Sequence, residues 1–367
     1  MTSRVLLILV VGALVLFGLV MLFSTSWPQG EKISNNQYYF VQRQAIWLAL
    51  GLVAAVVGSR VDYHVWQKIA WPIMGVVLVL LALVYVPGIG LSIKGSRRWL
   101  QLPMKLTFQP SELAKFAAIN ALACWYGARR RGGGTFTRVV VFPALILGSF
   151  LLLILPEIDV GATVLIGATG CVIMLVAGAP FWLLAFGVAL AAGGLGVLIK
   201  YDPVRMSRVL AFLNPEEYAQ TEAFQLLNAL YAFVAGGPTG VGLGQSLQKQ
   251  HYLPEAHTDF IFAIIGEELG VVASLSVVVL FVILLLCGIR ISGRAPDVSG
   301  RLLAFGITFM ITLQAAINIG VVTGCLPTKG LPLPFVSFGG TSLMVTLFMI
   351  GVLLNISRQG ITRTRTA

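Results

Sequence analysis

Apolar runs of about 20 residues recur along this chain, and they constrain the fold more than any single motif. A bilayer core of about 30 Å is crossed by roughly 20 apolar residues in a helix. Ten segments meet that length: 4–25, 42–59, 69–87, 111–128, 138–155, 160–177, 181–199, 260–288, 302–324 and 339–357. Of 367 residues, 57% are hydrophobic and only 11% are charged, more apolar surface than a soluble domain of this size buries. The expected fold is an all-α polytopic membrane protein of ten transmembrane helices, one domain over residues 1–367. The run 4–25 has Arg4 beside it and no small-residue cleavage site, so it is expected to be an anchored helix, not a removed signal peptide.

Basic residues in short loops set orientation. With the N-terminus inside, the inner segments hold 13 of the 25 Lys and Arg, including Arg60, Lys68, Arg129, Arg130, Arg131, Arg290, Arg294 and Arg358, and only Asp62 and Asp297 as acids. An even number of spans returns the C-terminus to the same cytoplasmic side. The largest outer loop then lies between the seventh and eighth helices, at about 201–259, and Pro215–Val234 within it has helical spacing. Most of the other cations fall in two outer segments, Lys94, Arg97, Arg98 and Lys105, then Lys200, Arg205, Arg208 and Lys249. They are either solvated loop charges or the surround of an anionic ligand, since Arg and Lys pair well with phosphate oxygens. The net charge of +11 suits anionic membrane lipids, and no nucleic-acid partner is expected.

The stretch YLPEAHTDFIFAIIGEELG (Tyr252–Gly270) places Glu255, His257, Thr258 and Asp259 at the mouth of an apolar run that carries Glu267 and Glu268. Ionisable groups at membrane depth are costly and are kept mainly where they act, which makes Asp259 the leading catalytic candidate. Glu267 and Glu268 point about 100° apart on a helix, so at least one of them only caps or pairs. Glu112 and Lys115 share a helix face, either as a neutralising pair or as direct ligand contacts. Asp159 in PEIDVGAT is a further candidate. GVGLGQ (Gly240–Gln245) has no preceding strand and is not a nucleotide loop. The three His and four Cys show no metal-ligand spacing.

Taken together, YYFVQRQAIW, KGSRRW, FQPSELAK, FLNPEEY, GVGLGQSLQK, the Tyr252–Gly270 stretch and NIGVVTGCLPTKGLPLPFVSFGGTSL resemble the SEDS family of bacterial cell-wall polymerases, its FtsW-type division branch most closely. One departure is Ile158, where the family usually has Pro before Asp159. The resemblance implies ten helices and peptidoglycan glycosyltransferase activity on lipid II, in a bacterial cytoplasmic membrane with the active site outside. It also implies a complex with a class B penicillin-binding protein and other division membrane proteins. Asp259 is then the expected general base. Arg98, Lys115, Arg208 and Lys329 are expected at the diphosphate, with a divalent cation, Mg2+ or Mn2+, adding to their charge. Gln225, His257 and Thr258 match family positions that would hold sugar or peptide. Ser337, Gly339 and Gly340 open the last helix, either as an anion or lipid contact or as tight helix packing. A lipid II flippase and a non-catalytic division scaffold are the competing readings. A flippase wants polar residues through the midplane, whereas here they gather at outer helix ends.

Overall fold

Inside a bilayer the backbone must bond to itself, so each long apolar run becomes helix. The computed structural model describes residues 2–93, 96–101, 106–128, 135–157, 159–201, 203–250 and 253–366. Lys94, Lys105, Arg129, Arg130, Arg131, Ile158 and Tyr252 lie outside the described residues.

The helices are α1 (Ser3–Ser34), α2 (Tyr39–Arg60), α3 (Tyr63–Lys68), α4 (Ala70–Leu83), α5 (Pro110–Gly127), α6 (Phe142–Ile154), α7 (Val160–Val176), α8 (Phe181–Tyr201), α9 (Pro203–Leu213), α10 (Phe224–Gly236), α11 (Ile261–Gly293), α12 (Val298–Val322) and α13 (Gly340–Thr366). Each of the ten expected apolar runs falls on a helix. Six helical segments are long and apolar enough to cross a membrane, and α4, α7, the Phe181–Leu190 part of α8, and α10 are shorter apolar helices. The chain is thus a polytopic, helical membrane protein.

Helix α5 is the central post, touching α4, α6, α7, α12 and α13. From Phe116 to Ala123 every residue is buried. Because protein surrounds it, α5 tolerates Glu112, Lys115 and Asn120, which would be costly against lipid. At the opposite extreme, α8 touches mainly α7 and α9, and its Trp182 and Phe186 are 68% and 66% exposed. Helix α13 lies along α2 through small residues. A Cβ on Gly351 would sit 2.2 Å from Ala55 O, and one on Gly58 would sit 2.8 Å from Phe348 O. Such close backbone approach is how membrane helices gain packing energy without a hydrophobic force between them.

Three features depart from the expected layout. A three-stranded antiparallel sheet, β1 (Gly90–Ile93), β2 (Ser96–Gln101) and β3 (Thr107–Phe108), occupies the loop before α5. The loop helix expected at Pro215–Val234 begins only at Phe224. Helix α11 breaks at Gly270, whose φ of 78° is left-handed and favours glycine. The Glu267 and Glu268 carbonyls accept from Val241 N (2.9 Å) and Gly242 N (3.0 Å), and Val271 N donates to Gly237 O (3.0 Å). The glycine-rich GVGLGQ segment is therefore a strap across the break in α11.

Candidate active site

The site is organised from α12. Gln314 and Asn318 are four apart, share one face and are both buried. Asn318 Nδ2 donates to Asp259 O (2.8 Å) and to Leu331 O (2.7 Å), while Gln314 Nε2 donates to Pro332 O (2.8 Å). These two amides peg the chain entering α11 and the loop between α12 and α13 to one helix. Asp259 and Lys329 are brought to the same spot as a result. Gly330 completes the fit, because a Cβ there would lie 2.9 Å from Asp259 Oδ2.

Beside these groups lies an open cavity of about 360 Å³. Its walls are Arg208 from α9, Thr221 and Glu222 from the turn before α10, Phe224 and Gln225 from its start, Pro254, Asp259 and Phe260, and Thr328, Lys329 and Gly330. Asp259 is half-buried and Arg208 is exposed. Ser207 Oγ donates to Glu222 Oε1 (2.8 Å), and this bond first, with Arg208 adding to it, holds the Glu222 carboxyl below the usual range. Burial pushes the Lys329 ammonium below the ordinary lysine value. A half-buried carboxylate such as Asp259, in one cavity with Glu222 and two cations, can take a proton from a neutral ligand group while the cations hold an anionic one.

The structure thus brings together Asp259, Arg208, Lys329 and Gln225. It places the other sequence candidates elsewhere. Lys115 is 1% exposed, and its Nζ bonds Glu112 Oε1 (2.7 Å), Glu112 Oε2 (2.8 Å) and Gln314 Oε1 (2.9 Å). Expected at a diphosphate, it is instead a buried tie between α5 and α12. Arg98 on β2 donates through Nε to Glu157 O (3.1 Å) and lies 3.9 Å from Asp159 Oδ1, anchoring the sheet rather than lining the cavity. Asp159 caps α7 by accepting from Ala162 N (3.1 Å), and it also accepts from Gln109 Nε2 (3.1 Å).

Glu267 and Glu268 form a latch. Ser246 Oγ donates to Glu267 Oε2, Leu247 N donates to Glu267 Oε1 (2.9 Å), and Lys249 Nζ and Ser24 Oγ each reach Glu268 at 2.6 Å. His257 is buried, its ring 4.4 Å from that of Phe40, and its carbonyl accepts from Phe338 N (3.0 Å). Thr258 Oγ1 donates to Glu255 Oε2 (3.0 Å). Ser337 Oγ accepts from Leu333 N (2.8 Å), which closes a turn. At Gly340 a Cβ would meet the Trp47 indole at 2.2 Å, so this glycine serves helix packing, while at Gly339 the nearest contact is an ordinary 3.5 Å.

Sequence reasoning missed Glu222, Gln314, Asn318 and Gly330. The two amides had a readable signal: polar side chains four apart in an apolar helix, an arrangement costly in lipid unless bonded. Glu222 and Gly330 had none.

The sequence profile of the Cell cycle protein family, which spans FtsW, RodA and SpoVE, matches residues 4–361. The chain belongs to the SEDS family. Among SEDS relatives, a probable peptidoglycan glycosyltransferase FtsW of Geobacter metallireducens is 41% identical over 354 residues, 96% of this chain and 94% of that one. The stage V sporulation protein E of Bacillus subtilis is 40% identical over 361 residues, 97% of this chain and 98% of that one. Among solved SEDS structures, a chain from a peptidoglycan synthase complex coordinating polymerization and crosslinking superposes with a TM-score of 0.78 at 29% identity, covering 96% of this chain and 97% of that one. The rod shape determining protein RodA of Thermus thermophilus superposes with a TM-score of 0.72 at 27% identity, covering 96% of each chain.

Proposed function

We propose that this SEDS protein is a peptidoglycan glycosyltransferase that polymerises lipid II into glycan strands for septal wall synthesis, with Asp259 as general base. The observation that carries this reading is the sharing of one open cavity by Asp259, Arg208 and Lys329. Glycoside hydrolysis normally needs two carboxylates, one to protonate the departing sugar. A lipid diphosphate departs already ionised, so one base and nearby positive charge suffice. Asp259 takes the proton of the acceptor sugar's 4-hydroxyl as that oxygen bonds to the donor's anomeric carbon. The bond from that carbon to the diphosphate breaks, and undecaprenyl diphosphate leaves against Arg208 and Lys329. Gln225 and Glu222, on the same wall, would position hydroxyls.

Among the described residues no three His, Cys, Asp or Glu side chains are grouped to hold a metal ion. A Mg2+ or Mn2+ ion here would be held by Glu222, the other carboxylate of the cavity, together with the substrate's diphosphate, which leaves Asp259 as the base. Bound there, it would supply further positive charge.

The membrane-crossing helices in this reading are α1, α2, α4, α5, α6, α7, α8, α11, α12 and α13, with both termini cytoplasmic and the cavity facing outward. The clustering of Arg and Lys at the opposite helix ends supports this orientation. The protein then sits in the bacterial cytoplasmic membrane. A class B penicillin-binding protein is the proposed partner, since a similar chain belongs to a complex that also crosslinks.

Purified protein given lipid II tests the proposal. The wild type should form glycan strands, and Asp259→Asn should fold normally and lose about 10²–10⁴ in rate. Movement of lipid II across vesicles without polymer would sink the polymerase reading. A well-folded Asp259→Asn protein with near-normal synthesis would remove Asp259 as base.

A further inference from the structure

Lys329 lines a second cavity as well as the first. This one is a groove of about 230 Å³ between α7 and α12, closed by the loop that follows α12. Its lining is otherwise apolar, chiefly Val164, Ile317, Val321, Leu326 and Leu331. Val164 on α7 and Leu326 in the loop after α12 are each 39% exposed at its edge. Gly161 keeps the loop close to α7, because a Cβ there would lie 2.8 Å from Leu331 Cγ.

The polar cavity and the apolar groove thus meet at one side chain, that of Lys329. Only an amphiphile whose anionic head adjoins a hydrocarbon chain matches both sides of that junction. The groove is smaller than the roughly 300–1,000 Å³ of whole-ligand pockets, which suits a length of chain rather than a complete ligand. Its chain would enter from the bilayer, while the head would stay with Arg208 and Asp259.

We propose that the α7–α12 groove seats the head-proximal part of the isoprenoid chain of the donor substrate, with Lys329 at the point where hydrocarbon becomes diphosphate. This rests on the polymerase reading for the identity of the lipid. It adds that the donor, the molecule whose diphosphate departs, is the one held there. Chain length would therefore contribute to recognition through Val164 and Leu326, apart from the sugar.

Binding of undecaprenyl diphosphate to the full chain, set against inorganic diphosphate, tests this. The wild type should prefer the lipid probe by more than about tenfold, the scale on which burying a few methylenes acts. Val164→Trp, which fills the groove, and Leu326→Asp, which charges its edge, should each cut that preference by about tenfold or more. An unchanged ratio of the two affinities in both variants would overturn the proposal. A photoreactive prenyl diphosphate gives a second reading on the wild type, and it should label 160–176 and 323–331. Labelling confined to other helices would also overturn it. Lipid II polymerisation measured on the same preparations separates the two ideas. Absent polymer with an intact lipid preference defeats the polymerase reading alone, and normal polymer with no groove effect defeats the groove alone.

Discussion

Charge enters the apolar part of this molecule in two kinds of place. In the cavity, Asp259 is half-buried and shares an open space with Arg208 and Lys329. In the latch, Glu268 and the Lys249 ammonium are wholly enclosed, 2.6 Å apart, with Ser24 bonded to the same carboxylate. The tie between Glu112 and Lys115 belongs with the latch. All of these residues are ionisable groups at the margin of apolar runs and look alike in the sequence. What separates them is whether they are sealed inside the protein or line an open cavity. A sealed pair is held only by its geometry, and its loss is felt in stability. A carboxylate that lines an open cavity can be reached by a ligand, and its loss is felt in rate.

The sharpest way to break this contrast is at the latch. Glu268→Gln leaves Lys249 buried without its counter-charge and should cost about 3–5 kcal/mol of stability. Its melting temperature and folded yield should fall sharply, with activity per folded molecule kept. Gly330→Ala works in the other region. The new methyl would press on Asp259 Oδ2 and move the carboxylate, and a displacement of about 1 Å can cost about 10² in rate. The expected outcome is slower polymerisation at an unchanged melting temperature.

Asn318→Ala sits between the two kinds of place. It strands the buried Leu331 carbonyl, which costs about 1–3 kcal/mol, and the part-buried Asp259 carbonyl, which costs less, so rate and stability should fall together. Separate measurements of kcat and of melting would show whether positioning or folding suffers more.

The smallest effect is one of pH. The unfolded chain holds the Lys329 proton more tightly than the folded one, so this group's share of stability rises with pH from its lowered value up to the ordinary 10.5. Activity should fall over that same window, because the neutral amine no longer attracts diphosphate. Lys329→Arg stays charged. Its alkaline limb should move upward while activity at neutral pH changes little.

Much of the scaffold is legible in hydropathy, because a bilayer leaves an apolar run no choice but helix. Helix α5 shows the limit, since the run 111–128 marks it as a span but not as the central one that carries Glu112, Lys115 and Asn120. Surrounding protein replaces lipid there, and hydropathy cannot register that. The sheet at Gly90–Phe108 was missed because its strands are short and Arg97 and Arg98 interrupt any alternation. At the site, Asp259 stood out as an isolated acid before an apolar run. Lys115 misled because one-dimensional spacing brings it near Glu112 but cannot say that the pair is sealed against α12. Glu222 reaches the cavity only because a turn brings the start of α10 beside Asp259, a tertiary fact with no local signature.

The contrast between the two regions turns on one ratio, glycan synthesis per folded molecule for Asp259→Asn against that for Lys249→Met, with both melting curves taken on the same samples. The result expected is a well-folded, nearly inactive Asp259→Asn protein beside an unstable Lys249→Met protein whose surviving folded fraction works. An unstable Asp259→Asn protein that still polymerises, or a stable Lys249→Met protein that does not, would contradict it.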